Sequence, residues 1–126
     1  MDRLFLDANV LFSAAYRSNA GLLALWKLKN VALYTSAYAL EEAKVNLSEP
    51  HQKRRLSRLS QRLELVEADQ FELPDSIYLP DKDKPILLAA IAARATHLIT
   101  GDVHHFGNFF NKAIGGVLVV SPRAFP

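Results

Sequence analysis

Short apolar runs alternate along this chain with segments of helical period. Arg3 to Leu6 is mostly apolar and ends at Asp7, the pattern of a strand buried on both faces of a parallel sheet. Asn9 to Tyr16 and Ala20 to Lys29 predict two helices broken at Ser18-Asn19; in the second, Leu22, Leu25, Trp26 and Lys29 recur at helical spacing. Val31 to Thr35 predicts a second strand. Ser36 can cap a helix running to about Leu47, and Pro50 suits the first turn of another reaching about Arg62. Leu63 to Val66 predicts a third, short strand. Glu67 to Asp81 contains Pro74 and Pro80 without a clear period and predicts a loop. Asp83 then caps a helix that tolerates Pro85 in its first turn. The body of that helix, ILLAAIAARA, is apolar nearly all round and predicts deep burial. His97 to Thr100 and Val117 to Val120 predict the fourth and fifth strands. Gly101 to Ala113 between them predicts a loop with room for one helical turn.

Strands alternating with helices imply an α/β fold, a parallel sheet with helices on both faces. The 126 residues suit one domain, 1–126, with no internal repeat, low-complexity segment or linker. Half the residues are hydrophobic, enough for a core without staples, and the absence of cysteine excludes disulfides, zinc–thiolate sites and thiol nucleophiles. No apolar run reaches about 18 residues, and the opening MDRLFLDANV lacks the apolar stretch of a signal peptide. The expectation is a cytoplasmic protein without membrane contact.

Charge changes this picture through its distribution. The net charge is only +2, yet His51 to Arg62 carries Lys53, Arg54, Arg55, Arg58 and Arg62 and no acid, leaving the rest of the chain net acidic. Four carboxylates stand where an α/β sheet gathers ligands, outside the carboxyl ends of its strands. Asp7 follows the first strand and Asp102 the fourth. Asp83 begins the helix leading into the fourth, and Glu42 lies on the helix after the second. If the first and fourth strands are neighbours at the point where strand order reverses, these acids converge. Clustered carboxylates repel one another, and a hard divalent cation with oxygen preference relieves that repulsion. Such an ion can activate water and orient a phosphodiester, so no His or Cys base is required.

Taken singly, each acid has a plainer use: Asp7 and Asp102 as turn or cap residues, Asp83 as an N-cap, Glu42 as a solvated helix residue. Asn9 suits an N-cap and a holder of cation-bound water equally. Glu41 and Glu42 point about 100° apart on a helix. Glu42 shares its face with Ala39, Ala43 and Asn46, so it is preferred, and Asp83 is preferred to Asp81.

The residues then resemble a known family. LDANVLFSA (6–14) is similar to the opening motif of PIN-domain nucleases, SAYALEEAKVNL (36–47) to their second motif, and DKDKPILLAAIAARATHLITGDVHHFG (81–107) to their third and fourth. Asp7, Glu42, Asp83 and Asp102 take the acidic places. The motifs span nearly the whole chain in matching order. The family often has Ser or Thr two residues after its first Asp, where this chain has Asn9. The resemblance implies a PIN-like three-layer α/β/α fold with a five-stranded parallel sheet of order 3-2-1-4-5. It also implies Mg²⁺- or Mn²⁺-dependent hydrolysis of RNA by metal-activated water. Frequent homodimerisation follows from it as well and, for many small bacterial members, a role as the VapC-like toxin paired with an antitoxin. A PIN-fold RNA-binding scaffold without activity is the alternative.

Three readings attach to the basic run KRRLSRLSQR: an RNA path through Arg54, Arg55 and Arg58, a solvated face opposite Leu56, Leu59 and Leu63, or a face that meets a second subunit or an antitoxin. His104 and His105 could touch phosphate beside Asp102. Phe106, Phe109 and Phe110 are better suited to packing on the sheet than to base stacking, and Trp26 and Tyr34 to the core. A receiver domain is disfavoured because the third strand leads into Glu67-Ala68 and the last into Ser121-Pro122. A DxD phosphatase fails because the first strand ends Asp7-Ala8-Asn9.

Overall fold

A central strand, β1 (Asp2–Leu6), organises the chain in the computed structural model, which describes residues 1–67, 77 and 79–124. Leu4, Phe5 and Leu6 are wholly buried, as a strand covered on both faces requires. On one side β1 pairs in parallel with β2 (Val31–Thr35), which pairs with β3 (Glu64–Leu65). On the other it pairs in parallel with β4 (His97–Ile99), which pairs with β6 (Val117–Val120). A short β5 (Ala113–Ile114) adds an antiparallel edge, giving the order β3-β2-β1-β4-β6-β5. The fold is therefore the expected α/β sheet, with a sixth, antiparallel strand that the sequence reading did not assign. Gly115 and Gly116 explain it. Both take positive φ, 58° and 84°, which lets a two-residue turn reverse the chain in the sense of strand twist.

Among the described residues, five α-helices accompany the sheet: α1 (Ala8–Tyr16), α2 (Ala37–Asn46), α3 (Pro50–Ser60), α4 (Lys84–Ala92) and the single turn α5 (Val103–Phe106). Helix α1 packs on α2 and α3, while α4 contacts β2 and β4. Ser36 caps α2 by accepting from the Ala39 amide at 3.1 Å, as its sequence position predicts. Leu56 and Leu63 are buried and Leu59 partly so, with the Trp26 indole donating to the Leu59 carbonyl at 3.1 Å. Tyr34 is buried under the Arg3 guanidinium, 4.5 Å from its ring centre.

Three local expectations differ from the structure. Residues 20–29, read as an α-helix, instead wind as a 3₁₀ helix, Gly21–Lys27, with i→i+3 bonds and no side chain capping its start. The third strand is only two residues long, both exposed. Asp83 occupies the N-cap position of α4, yet its side chain caps nothing. Its backbone is already helical, and Pro85, at the second helical position, has no N–H to offer. Most of the predicted loop from Glu67 to Asp81 lies outside the described residues. No described helix is long and apolar enough to cross a membrane.

Candidate active site

Strand order reverses between β1 and β4, and their register aligns Leu6 with Ile99. The Asp7 amide donates to the Ile99 carbonyl at 3.0 Å, so Asp7 leaves β1 beside Thr100 leaving β4. A cleft of about 470 Å³ opens there, and Asp7, Glu42, Asp83 and Asp102 all line it. They arrive from separate elements: the end of β1, the middle of α2, the entry to α4, and the turn between β4 and α5. Glu41, by contrast, lines a different surface hollow with Leu40 and Lys44. Asp81 is almost fully exposed and pairs with Lys84 at 3.1 Å.

Thr100 ties the floor together. Its hydroxyl donates to Asp7 Oδ2 at 2.8 Å and accepts from the Asp102 amide at 3.1 Å. Asn9 bridges the same two strand ends. Its Oδ1 accepts from the Gly101 amide at 2.8 Å, and its Nδ2 donates to Asp7 Oδ2 at 3.1 Å. Asn9 is thus not an N-cap; Asp7 holds that place, its Oδ1 accepting from the Ala8 amide at 2.6 Å. The plain reading of Asp7 holds: one oxygen caps α1, and the other faces the Thr100 and Asn9 donors.

Burial raises the Asp7 carboxyl from 3.8 to about 6, against the lowering pull of the Thr100 and Ala8 hydrogen bonds. The charges of Asp83 and Glu42 contribute smaller raising shares to that same value. Asp83 is also raised, first by burial; the nearby His105 and Lys82 oppose that shift, and Asp102 adds to it. His105 Nδ1 lies 2.7 Å from Asp83 Oδ2 and 2.9 Å from Asp102 Oδ2, so the imidazole stands between two carboxylates. The three side chains offer ligand atoms within 4.8 Å of one another. Asp102 also caps α5, accepting from the His105 amide at 3.0 Å, which fixes the turn that presents His105.

Sequence reasoning missed Thr100, His105's place between the acids, and Lys82 on the cleft wall. The signals were present: a polar residue closing the fourth strand in ITGD, and a histidine three residues beyond a helix cap. The side chain of His104 lies outside the described ones. None of Arg54, Arg55 and Arg58 lines the cleft. Arg54 and Arg58 are exposed on α3, while the Arg55 guanidinium donates to the Ala15 carbonyl at 2.7 Å and ties α3 to the end of α1. Phe106 is fully buried, and Phe109 and Phe110 pack against the core, the use the sequence favoured over base stacking.

Thr100→Val keeps the shape of the floor and removes its hydroxyl. The expected cost is about 1–3 kcal/mol, since buried Asp7 Oδ2 and the Asp102 amide both lose a partner. Asp7 should titrate higher still, because the Thr100 bond lowers it. Urea unfolding and an NMR titration of the Asp7 carboxyl check both, and wild-type values in each would remove Thr100 from the network.

The PIN-domain family model matches residues 3–104. A chain of VapBC2 from Rickettsia felis, crystallised bound to a DNA fragment from their promoter, superimposes with a TM-score of 0.72. It is 19% identical, over 94% of this chain and 98% of that one. At that identity the likeness speaks for the fold. No curated protein sequence matches. With four-fifths of its length matched by the family model, the chain belongs to the PIN-domain family.

Proposed function

We propose that this protein is a Mg²⁺- or Mn²⁺-dependent endoribonuclease whose cation is held by Asp7, Glu42, Asp83 and Asp102. The observation that carries the reading is the convergence of these four carboxylates, two of them buried, on one cleft at the sheet's switch point. The donor set fits the ion. Its carboxylate oxygens suit a hard cation, and burial with mutual repulsion leaves Asp7 above its ordinary range, a strain that a bound cation would relieve. When bound, such an ion supplies Lewis acidity toward a phosphodiester and acidifies the attacking water.

The chain's own residues then hold the geometry. Thr100 and Asn9 fix the Asp7 carboxylate, and the Asp102 cap fixes the α5 turn. The Tyr38 hydroxyl donates to the Lys82 carbonyl at 2.9 Å, tying α2, and so Glu42, to the segment that carries Asp83. Lys82 puts a positive charge on the cleft wall where a substrate phosphate would enter. Arg54 and Arg58 remain candidates for phosphate contacts away from the cleft. A cognate antitoxin and a homodimer are proposed from the family resemblance; the VapBC2 neighbour supports the first only by analogy of fold.

Water attacking phosphorus while the P–O3′ bond breaks leaves a 5′-phosphate and a 3′-hydroxyl. Attack by the RNA's own 2′-hydroxyl leaves a 2′,3′-cyclic phosphate and a 5′-hydroxyl. Mass spectrometry of the cut products should give the first pair, with cutting abolished by EDTA. The second pair, or cutting that persists in EDTA, would contradict the reading. A folded protein that binds RNA and never cuts it would establish the inactive scaffold instead.

A further inference from the structure

One face of α1 runs out of the acidic cleft into a second groove. Asn9, Phe12, Ser13 and Tyr16 recur at i, i+3, i+4 and i+7, so they form a stripe about 10 Å long on a single face. Asn9 lines the cleft, Phe12 lines both hollows, and Ser13 and Tyr16 line only the second. That second groove, about 590 Å³, is also lined by Leu22 and Arg123.

Its chemistry is the reverse of the cleft's. No carboxylate is among the described residues that line it, and it carries Arg17 and Arg123, both exposed. Its aromatic wall is open. The Tyr16 side chain is 53% exposed although it is large and apolar, and its ring leans on Phe12 with centroids 5.5 Å apart. An exposed aromatic ring in a groove lined by two arginines is a surface on which an unpaired base can stack while its phosphates find charge partners.

We infer that this groove is a subsite for single-stranded RNA, holding the nucleotides that flank the scissile phosphate, with a base on Tyr16 and phosphates at Arg17 and Arg123. The inference rests on the ribonuclease reading and extends it. Charge decides the occupant. Two arginines with no acid among the described lining residues suit a polyanion, and the Phe12 wall shared with the acidic cleft favours the same strand that would be cut there. Stacking and phosphate contact together make the subsite tolerant of sequence and sensitive to salt.

The test is the affinity of a fluorescently labelled single-stranded RNA 12-mer for the full chain carrying Asp7→Asn to prevent turnover. Adding Tyr16→Ala should weaken binding about tenfold. Tyr16→Phe, which keeps the ring, should bind within a factor of two or so of the parent. Arg17→Gln with Arg123→Gln should flatten the plot of log affinity against log salt by about 1.4, the loss of two phosphate contacts to a single strand. Thermal melts of each variant establish that it is folded. Parental affinity and salt slope in folded Tyr16→Ala and in the double arginine variant, from a protein that cuts RNA, overturn the subsite and leave the nuclease standing. If those variants also lose self-association by sedimentation, the groove belongs to a second copy. A parent chain that neither binds nor cuts RNA overturns both readings.

Discussion

Asp7→Asn should lower RNA cleavage on the order of a thousandfold while making the cation-free protein more stable at neutral pH. The two effects share one cause. Asp7 is buried, and burial lifts its carboxyl from 3.8 to about 6. A raised carboxyl favours the folded state while it is protonated. That contribution is complete below pH 3.8 and is lost as pH rises through about 6. Above that, the ionised group costs about 3 kcal/mol relative to the unfolded chain. Asparagine removes the charge at every pH. It also turns an amide toward Thr100 and Asn9, where an acceptor stood, so the net gain should be nearer 1–2 kcal/mol. Thermal melts without divalent ion should show wild type losing stability from pH 4 to pH 7 more steeply than the variant. Adding Mn²⁺ should stabilise wild type far more than Asp7→Asn. A variant no more stable than wild type at pH 7, with the same pH slope, would mean that the Asp7 carboxylate is not the strained group.

Phe106→Ala should be the most damaging change outside the acids. The ring is wholly buried and closes the α5 turn, its amide donating to the Asp102 carbonyl at 3.0 Å. Truncation removes its transfer energy and leaves a cavity, about 3–5 kcal/mol, a large share of a domain's usual stability. The same ring anchors the turn that carries Asp102 and His105. Cleavage should therefore fall on the order of tenfold even far below the melting temperature, since small displacements of reacting groups are costly. Phe106→Leu should recover most of both. Urea unfolding with steady-state cleavage at low temperature separates the effects. A loss of stability with untouched activity would show that α5 holds its place without this anchor.

Sheet order and the placing of the acids were legible because they follow from strong local signals. RLFL before Asp7 and HLIT before Gly101-Asp102 mark buried parallel strands, and an acid just beyond each falls at the switch point once the strands pair. Helical spacing also separated Glu42 from Glu41. What stayed hidden depends on tertiary contacts. Thr100 is a hub only because Asp7, Asn9 and the Asp102 amide surround it. His105 meets Asp83 across an interval of 22 residues. The density of charge on α3 left an RNA path and a solvated face both open; that Arg55 serves the end of α1 is a use that only the packing of the two helices reveals. Residues 20–29 carried a helical period but no cap, and period alone does not distinguish an α-helix from the 3₁₀ helix observed. The β5–β6 hairpin was signalled by Gly115-Gly116, whose positive φ a glycine pair permits without requiring.

On the function proposed here, the acidic cleft cuts RNA with a divalent cation. The most direct measurement is cleavage of a mixed single-stranded RNA pool by the purified chain in Mg²⁺, in Mn²⁺ and in excess EDTA, beside Asp102→Asn. Cutting with either ion, lost in EDTA and in the folded variant, is the predicted result. Equal cutting by Asp102→Asn, or equal cutting in EDTA, would contradict it.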